Sequence, residues 1–215
     1  MIKKIGIGVL LLFILLLIDS LYDYNYIPHK KYTNKDFGIL RSFSGIDKDN
    51  DGIEDNEDIL LSVRDYIKTK PKYKSKYYET GYPNDEFGVC TDVVAFGLKG
   101  AGYDLMELVY QDKKEHIEEY PKDQLDKNID FRRVKNLKIY FKRNAISLTT
   151  NIKEYHKWQE GEIVIFQNHI GIISDKRNKK GIPFVIHNAN PYQRDYEEDI
   201  LEQREKEIVG HYRIS

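Results

Sequence analysis

One cysteine and two histidines stand out in this 215-residue chain as types that together support nucleophilic chemistry: Cys90, His169 and His187. Cys90 lies in GVCTDVVAFGLKGAG, opened by Gly88 and closed by Gly100 and Gly102. Its apolar spacing predicts a helix from Val89 to Lys99 with the thiol at the N-terminus. Unpaired N–H groups and the macrodipole there favour a thiolate, the attacking form of cysteine. A free cysteine is also a common small core residue, so placement alone leaves both roles open. His169 opens HIGIISD directly after GEIVIF, and a histidine at the start of a central strand can serve as base to a helix packed on that strand. A base histidine needs a polar neighbour to fix its tautomer. His187 and Asn188, in PFVIHN, point to opposite faces of a strand, so one of them takes that place. His187 is assigned the role, and Asn188 is left to the substrate side or as its substitute.

These residues must be positioned by the elements around them. Ile59, Leu60, Val63, Tyr66 and Ile67 recur at helical spacing and predict a helix over 57–68, stopped by Pro71. Residues 70–88, rich in tyrosine, form a long loop, and a further helix is expected over 105–119 before Pro121. The period then changes. Runs at 161–166, 169–174, 183–188 and 207–214 are short, β-branched and separated by turns, which predicts adjacent antiparallel strands. Helices followed by a sheet give an α+β domain. Trp158 and His211 are assigned to the core rather than to a site.

The order of these stretches resembles the NlpC class of cell-wall cysteine peptidases: Cys at a helix start, then G-E-I-V-I-F, H-I-G-I and V-I-H-N. The resemblance covers Gly88 to Asn188. It implies a papain-like fold with Cys90 as nucleophile, His169 as base and His187 as third member, and amide hydrolysis through an acyl-enzyme without a required cofactor. Peptidoglycan stem peptides are the implied substrate, and a tyrosine ahead of the nucleophile often borders the cleft in this class; Tyr82 is the nearest. GVCTDVV, NIDFRRVKNL, HIGII, VIHN and GHYR also resemble a smaller bacterial family known only as a domain of unknown function, from about residue 50 to the C-terminus. The chain departs from the NlpC pattern at Val89-Cys90-Thr91-Asp92, where D-C-S-G is usual, and in the long insert 103–160. Asp92 is placed to cap the first helical turn or to meet Arg132 or Arg133. Those two arginines could hold a substrate carboxylate, or an aspartate of their own insert.

DKDNDGIEDNED carries Asp47, Asp49, Asp51, Asp55 and Asp58, with Gly52 sixth. The spacing matches positions 1, 3, 5, 9 and 12 of a calcium loop and points to a structural Ca²⁺, although position 12 is not the longer Glu. The alternative is a solvated acidic turn ahead of the 57–68 helix.

Composition narrows the classes. Thirty-four basic and 35 acidic residues leave a net charge of −1, so no overall field grips nucleic acid. Lys3 and Lys4 precede a 14-residue run, Ile5 to Ile18, that fits a secretory leader or an uncleaved N-terminal membrane anchor, although a span needs about 20 apolar residues. Residues 1–22 are therefore the leader, 23–44 a linker and 45–215 one exported domain at the bacterial cell surface. A lone thiol in that compartment is a reactive group or an intermolecular bridge. A cysteine acyltransferase, a non-catalytic peptide-binding module on the same fold and a calcium-linked adhesion protein are the competing expectations.

Overall fold

The change from helical to alternating periodicity near residue 160 divides the observed architecture as well. The structure, a computed structural model, describes residues 2–42 and 44–214, with side chains from residue 7 onward. Met1, Phe43 and Ser215, and the side chains of Lys3 and Lys4, lie outside the described residues.

The helices are α1 (Ile2–Asp23), α2 (Asp55–Lys68), α3 (Cys90–Gly100), α4 (Leu105–Glu115), α5 (Lys127–Asp130) and α6 (Val134–Asn144). Helix α2 buries Ile59, Leu60 and Val63 as its spacing requires, and Asp55, Glu57 and Asp58 occupy its first turn. Helix α3 lies against it, close enough that a Cβ on Gly97 would stand 3.4 Å from Val63 Cβ. Helix α4 is capped by Asp104 and ends at Glu115; a short 3-10 turn, 117–119, replaces the last turn expected from the sequence. The insert carries α6, whose Leu137, Tyr140 and Phe141 are buried.

The strands are β1 (Tyr32–Thr33), β2 (Lys72–Tyr73), β3 (Phe87–Gly88), β4 (Ile146–Ser147), β5 (Ile163–Phe166), β6 (Ile170–Arg177), β7 (Pro183–Ile186), β8 (Glu197–Glu198) and β9 (Ile208–Arg213). Seven of them form an antiparallel sheet ordered β4-β9-β5-β6-β7-β8, with β1 on the far end of β6. Strands β2 and β3 pair in parallel within the long loop ahead of Cys90. The protein is thus a mixed α+β fold. Side-chain alternation gives the sheet two buried faces. Ile163, Ile165, Ile170, Ile172 and Ile186 pack with the helices, whereas Val164, Phe166, Ile173 and Val185 pack with Trp158, Ile152 and Leu201. Gly171 allows β7 to approach: a Cβ there would lie 2.4 Å from Val185 Cγ1 and 2.9 Å from the Ile186 carbonyl.

The described residues of 23–44, expected to be a linker, are instead folded onto the body. Asn25 and Asp199 exchange two hydrogen bonds, and His29 Nδ1 lies 2.9 Å from Asp199 Oδ2. Arg177, fully buried, donates to Asn34 and to the carbonyls of Tyr155, Gly181 and Trp158. The polar composition that suggested a solvated segment is used to satisfy buried groups. Helix α1 carries the apolar run, exposed from Val9 to Ile18. Among the described residues, no helix is long and apolar enough to cross a membrane.

Candidate active site

Cys90 is the first residue of α3, as the sequence predicts. The turn is set by Asp92, whose Oδ2 accepts the Val89 N–H at 2.8 Å. The Cys90 sulfur meets the backbone N–H groups of Ile170, Thr91 and Cys90 itself. Ile170 directly follows His169, so the thiol and the start of β6 are neighbours. The thiolate expected from the helix N-terminus is not the resting form. Burial pushes the thiol up to about 11, and the nearby Asp92 carboxylate adds to this; the three amides only partly offset it.

His169 is buried at the β5–β6 turn, where its carbonyl accepts the Phe166 N–H at 2.8 Å. Its Nε2 lies 3.0 Å from His187 Nδ1, with the rings edge to face at 5.0 Å. Burial first, then repulsion from His187 whenever it is protonated and from Arg204, hold His169 well below the usual imidazole range. It is therefore neutral near pH 7 and has a lone pair to offer. Arg204 is held over Phe166, 4.5 Å from its centroid, and Phe166 lies against His169. His187, just past β7, is buried, and its Nε2 lies 3.2 Å from Glu198 Oε2 on β8. A cleft of about 690 Å³ opens here, lined by His187, Glu198, Arg204, Glu207 and Asn190 among others.

The structure thus brings Cys90, His169 and His187 to one end of the sheet. It places the other candidates elsewhere. Asn188 is buried and donates to the carbonyls of Pro71 at 2.8 Å and Gly88 at 3.1 Å, which ties the loop before Cys90 to the end of β7. Tyr82 is buried against Phe96 and Phe131, with its hydroxyl on Asp104 at 3.0 Å. Arg132 is buried and grips Asp92 through Nε (2.5 Å) and Nη2 (2.9 Å), and Nη1 donates to the Lys76 carbonyl. Arg133 pairs with Asp123 and Asp130 beside the fully buried Lys113. Both arginines brace the insert.

A family model described as Domain of unknown function (DUF1287) matches residues 61–214. The chain belongs to this DUF1287 family. It is also 38% identical over 176 residues to the Uncharacterized protein YijF of Escherichia coli (strain K12), a match covering 75% of this chain and 83% of that protein. No solved structure was found to match. Cys90, His169, His187 and Glu198 all fall inside the DUF1287 match, whereas the acidic loop lies ahead of it.

That loop gathers three of its five acids. The carboxylates of Asp47, Asp49 and Asp51 lie within 4.8 Å of one another. Asp55 turns inward, accepting from the Lys48 N–H and the Tyr103 hydroxyl. Asp58 is buried near Asp49 and Asp51, and burial together with Asp51, Asp49 and Asp55 pushes its carboxyl up to about 6. The helix N-terminus favours a charge there, but burial and like charges win. His116, Glu118 and Glu119 form a second group with ligand geometry, which sequence spacing did not single out. Glu198 was missed as well: it reaches His187 through the pairing of the two-residue β8 with β7 across an irregular loop.

Arg132→Ala leaves Asp92 buried and unpaired, so unfolding stability should fall by about 3–5 kcal/mol, measured by denaturant titration. Arg133→Ala, on a side chain one-third exposed, should cost much less. Equal, small effects would contradict the bracing role. For Asp58 the folded pKa is raised, so its contribution to stability is fully present below the unfolded value near 3.8 and is lost as pH rises through about 6. Asp58→Asn should therefore stabilise the protein at pH 7 relative to pH 4, by at most about 3 kcal/mol. Parallel pH–melting curves for the two proteins would refute this.

Proposed function

We propose that this DUF1287 protein is an exported cysteine hydrolase that cleaves amide bonds, with peptidoglycan stem peptides as substrate and a papain-like arrangement resembling the NlpC class. The observation that carries the proposal is the 3.0 Å contact between His169 Nε2 and His187 Nδ1. Among the described residues the other ring nitrogen of His169, Nδ1, has no hydrogen-bond partner, and it lies at the end of the sheet where the only cysteine of the chain lies on the Ile170 amide. Export is supported by the apolar run Ile5–Ile18 and its basic flank.

In this mechanism the resting pair is neutral on both sides. His169 Nδ1 takes the thiol proton as Cys90 Sγ forms a bond to the substrate carbonyl carbon. The carbonyl π electrons move to oxygen, and the Cys90 N–H stabilises that oxyanion. Collapse breaks the C–N bond, with His169 returning the proton to the leaving amine. Water, deprotonated by His169, then attacks the thioester, and Cys90 leaves with the proton. An acyltransferase would differ only in the final acceptor, and the product mass distinguishes the two.

Incubation of the full chain with isolated muropeptides, followed by mass spectrometry, should show hydrolysed stem peptides. Cys90→Ala and His169→Ala should each lower that rate by about 100-fold or more. Undiminished cleavage by Cys90→Ala would rule out the nucleophile.

A further inference from the structure

Glu198 is bound to the second histidine of the site, yet no catalytic step needs it to touch substrate. It lies on β8, where Val185 of β7 pairs with Glu198 and Ile186 with Glu197. The neighbouring residue Asp199 is held by Asn25 and His29, which anchors this short strand from its other side. Gln193 also approaches His187 Nε2, at 3.5 Å, but its amide donates to the carbonyls of His187 (3.1 Å) and Asp195 (2.7 Å). The acceptor available to His187 Nε2 is therefore the Glu198 carboxylate, 3.2 Å away.

An ionised carboxylate only accepts, so the nitrogen facing it must carry a proton. A singly protonated His187, with that proton on Nε2, presents a bare Nδ1, whereas a doubly protonated one would donate from Nδ1, which is the outcome that would reverse the chain. The bare Nδ1 can only accept, so His169 must donate from Nε2 across the 3.0 Å contact. His169 in turn is left with a bare Nδ1, the basic nitrogen that nucleophile activation requires. We propose that Glu198 is a positioning residue that sets the direction of the whole hydrogen-bond chain, from Glu198 through His187 to His169, and so selects the basic tautomer of the base. The inference rests on the hydrolase reading for its purpose, but the tautomers can be measured without it.

The test combines two readouts on the full chain labelled with ¹⁵N-histidine. Nitrogen chemical shifts near pH 7.5 should show both His169 and His187 as neutral Nε2–H tautomers. In Glu198→Ala both should become tautomer mixtures, and alkylation of Cys90 by iodoacetamide should slow about 10-fold. Glu198→Gln, whose amide oxygen still accepts, should recover most of the tautomer preference and guards against misfolding of the alanine variant. A wild-type His187 protonated on Nδ1, or tautomers and alkylation unchanged in Glu198→Ala, would overturn the inference. No cleavage of muropeptides by the wild-type chain, with the expected tautomers, would count against the hydrolase and leave the role of Glu198 standing.

Discussion

The buried carboxylate of Asp92 determines where α3 begins, and the position of the sulfur follows from that. One oxygen accepts the Val89 N–H that precedes the helix, and both oxygens are gripped by Arg132. Arg132 reaches on to the Lys76 carbonyl, so one ion pair joins the helix start, the long loop and the insert. A buried pair of this kind adds little net stability over an apolar pair, but removing one partner is costly. Its value is positional. Asn188 acts on the same turn from the sheet side, by holding the carbonyls of Pro71 and Gly88. Cys90 is thereby fixed beside the first residue of β6, and His169 is fixed one residue before it.

The same burial that gives this precision sets the ionisation of the site. A thiol and an imidazole removed from water both disfavour their charged forms, which moves the cysteine up and the histidine down. Two backbone amides at the helix N-terminus and the Ile170 amide of β6 are together too weak to reverse this for Cys90. The result is a neutral thiol on the Ile170 amide and a neutral imidazole at the adjoining residue. Under the proposed mechanism, charge is created only as a substrate carbonyl arrives to share it. The carboxylate of Glu198, two residues removed along the hydrogen-bond chain, supplies a fixed negative end without lying on the thiol.

Much of this was legible before any coordinates. The helical spacing of Ile59, Leu60 and Val63 and the turn-bounded strands are local patterns, and they survive in the structure. What was missed depends on distant contacts. Glu198 sits in a two-residue strand with no periodicity of its own. Helix α6 was hidden because lysines interrupt the run that carries Leu137, Tyr140 and Phe141. The segment 23–44 looked solvated, since its polar residues gave no sign of the buried Arg177 that Asn34 serves. The thiolate expectation failed for a related reason: a helix terminus is a local property, whereas the desolvation that outweighs it comes from the packed sheet.

The neutral resting thiol is the claim on which the mechanism turns, and the chain has a single cysteine through which to test it. Thiolate absorbance in the ultraviolet, taken as the difference between wild type and Cys90→Ser to cancel the tyrosines, reports that one group across pH. The account predicts no thiolate at pH 7 and a titration far above that of a free cysteine, toward about 11. A full thiolate signal already present at pH 6–7 would contradict it.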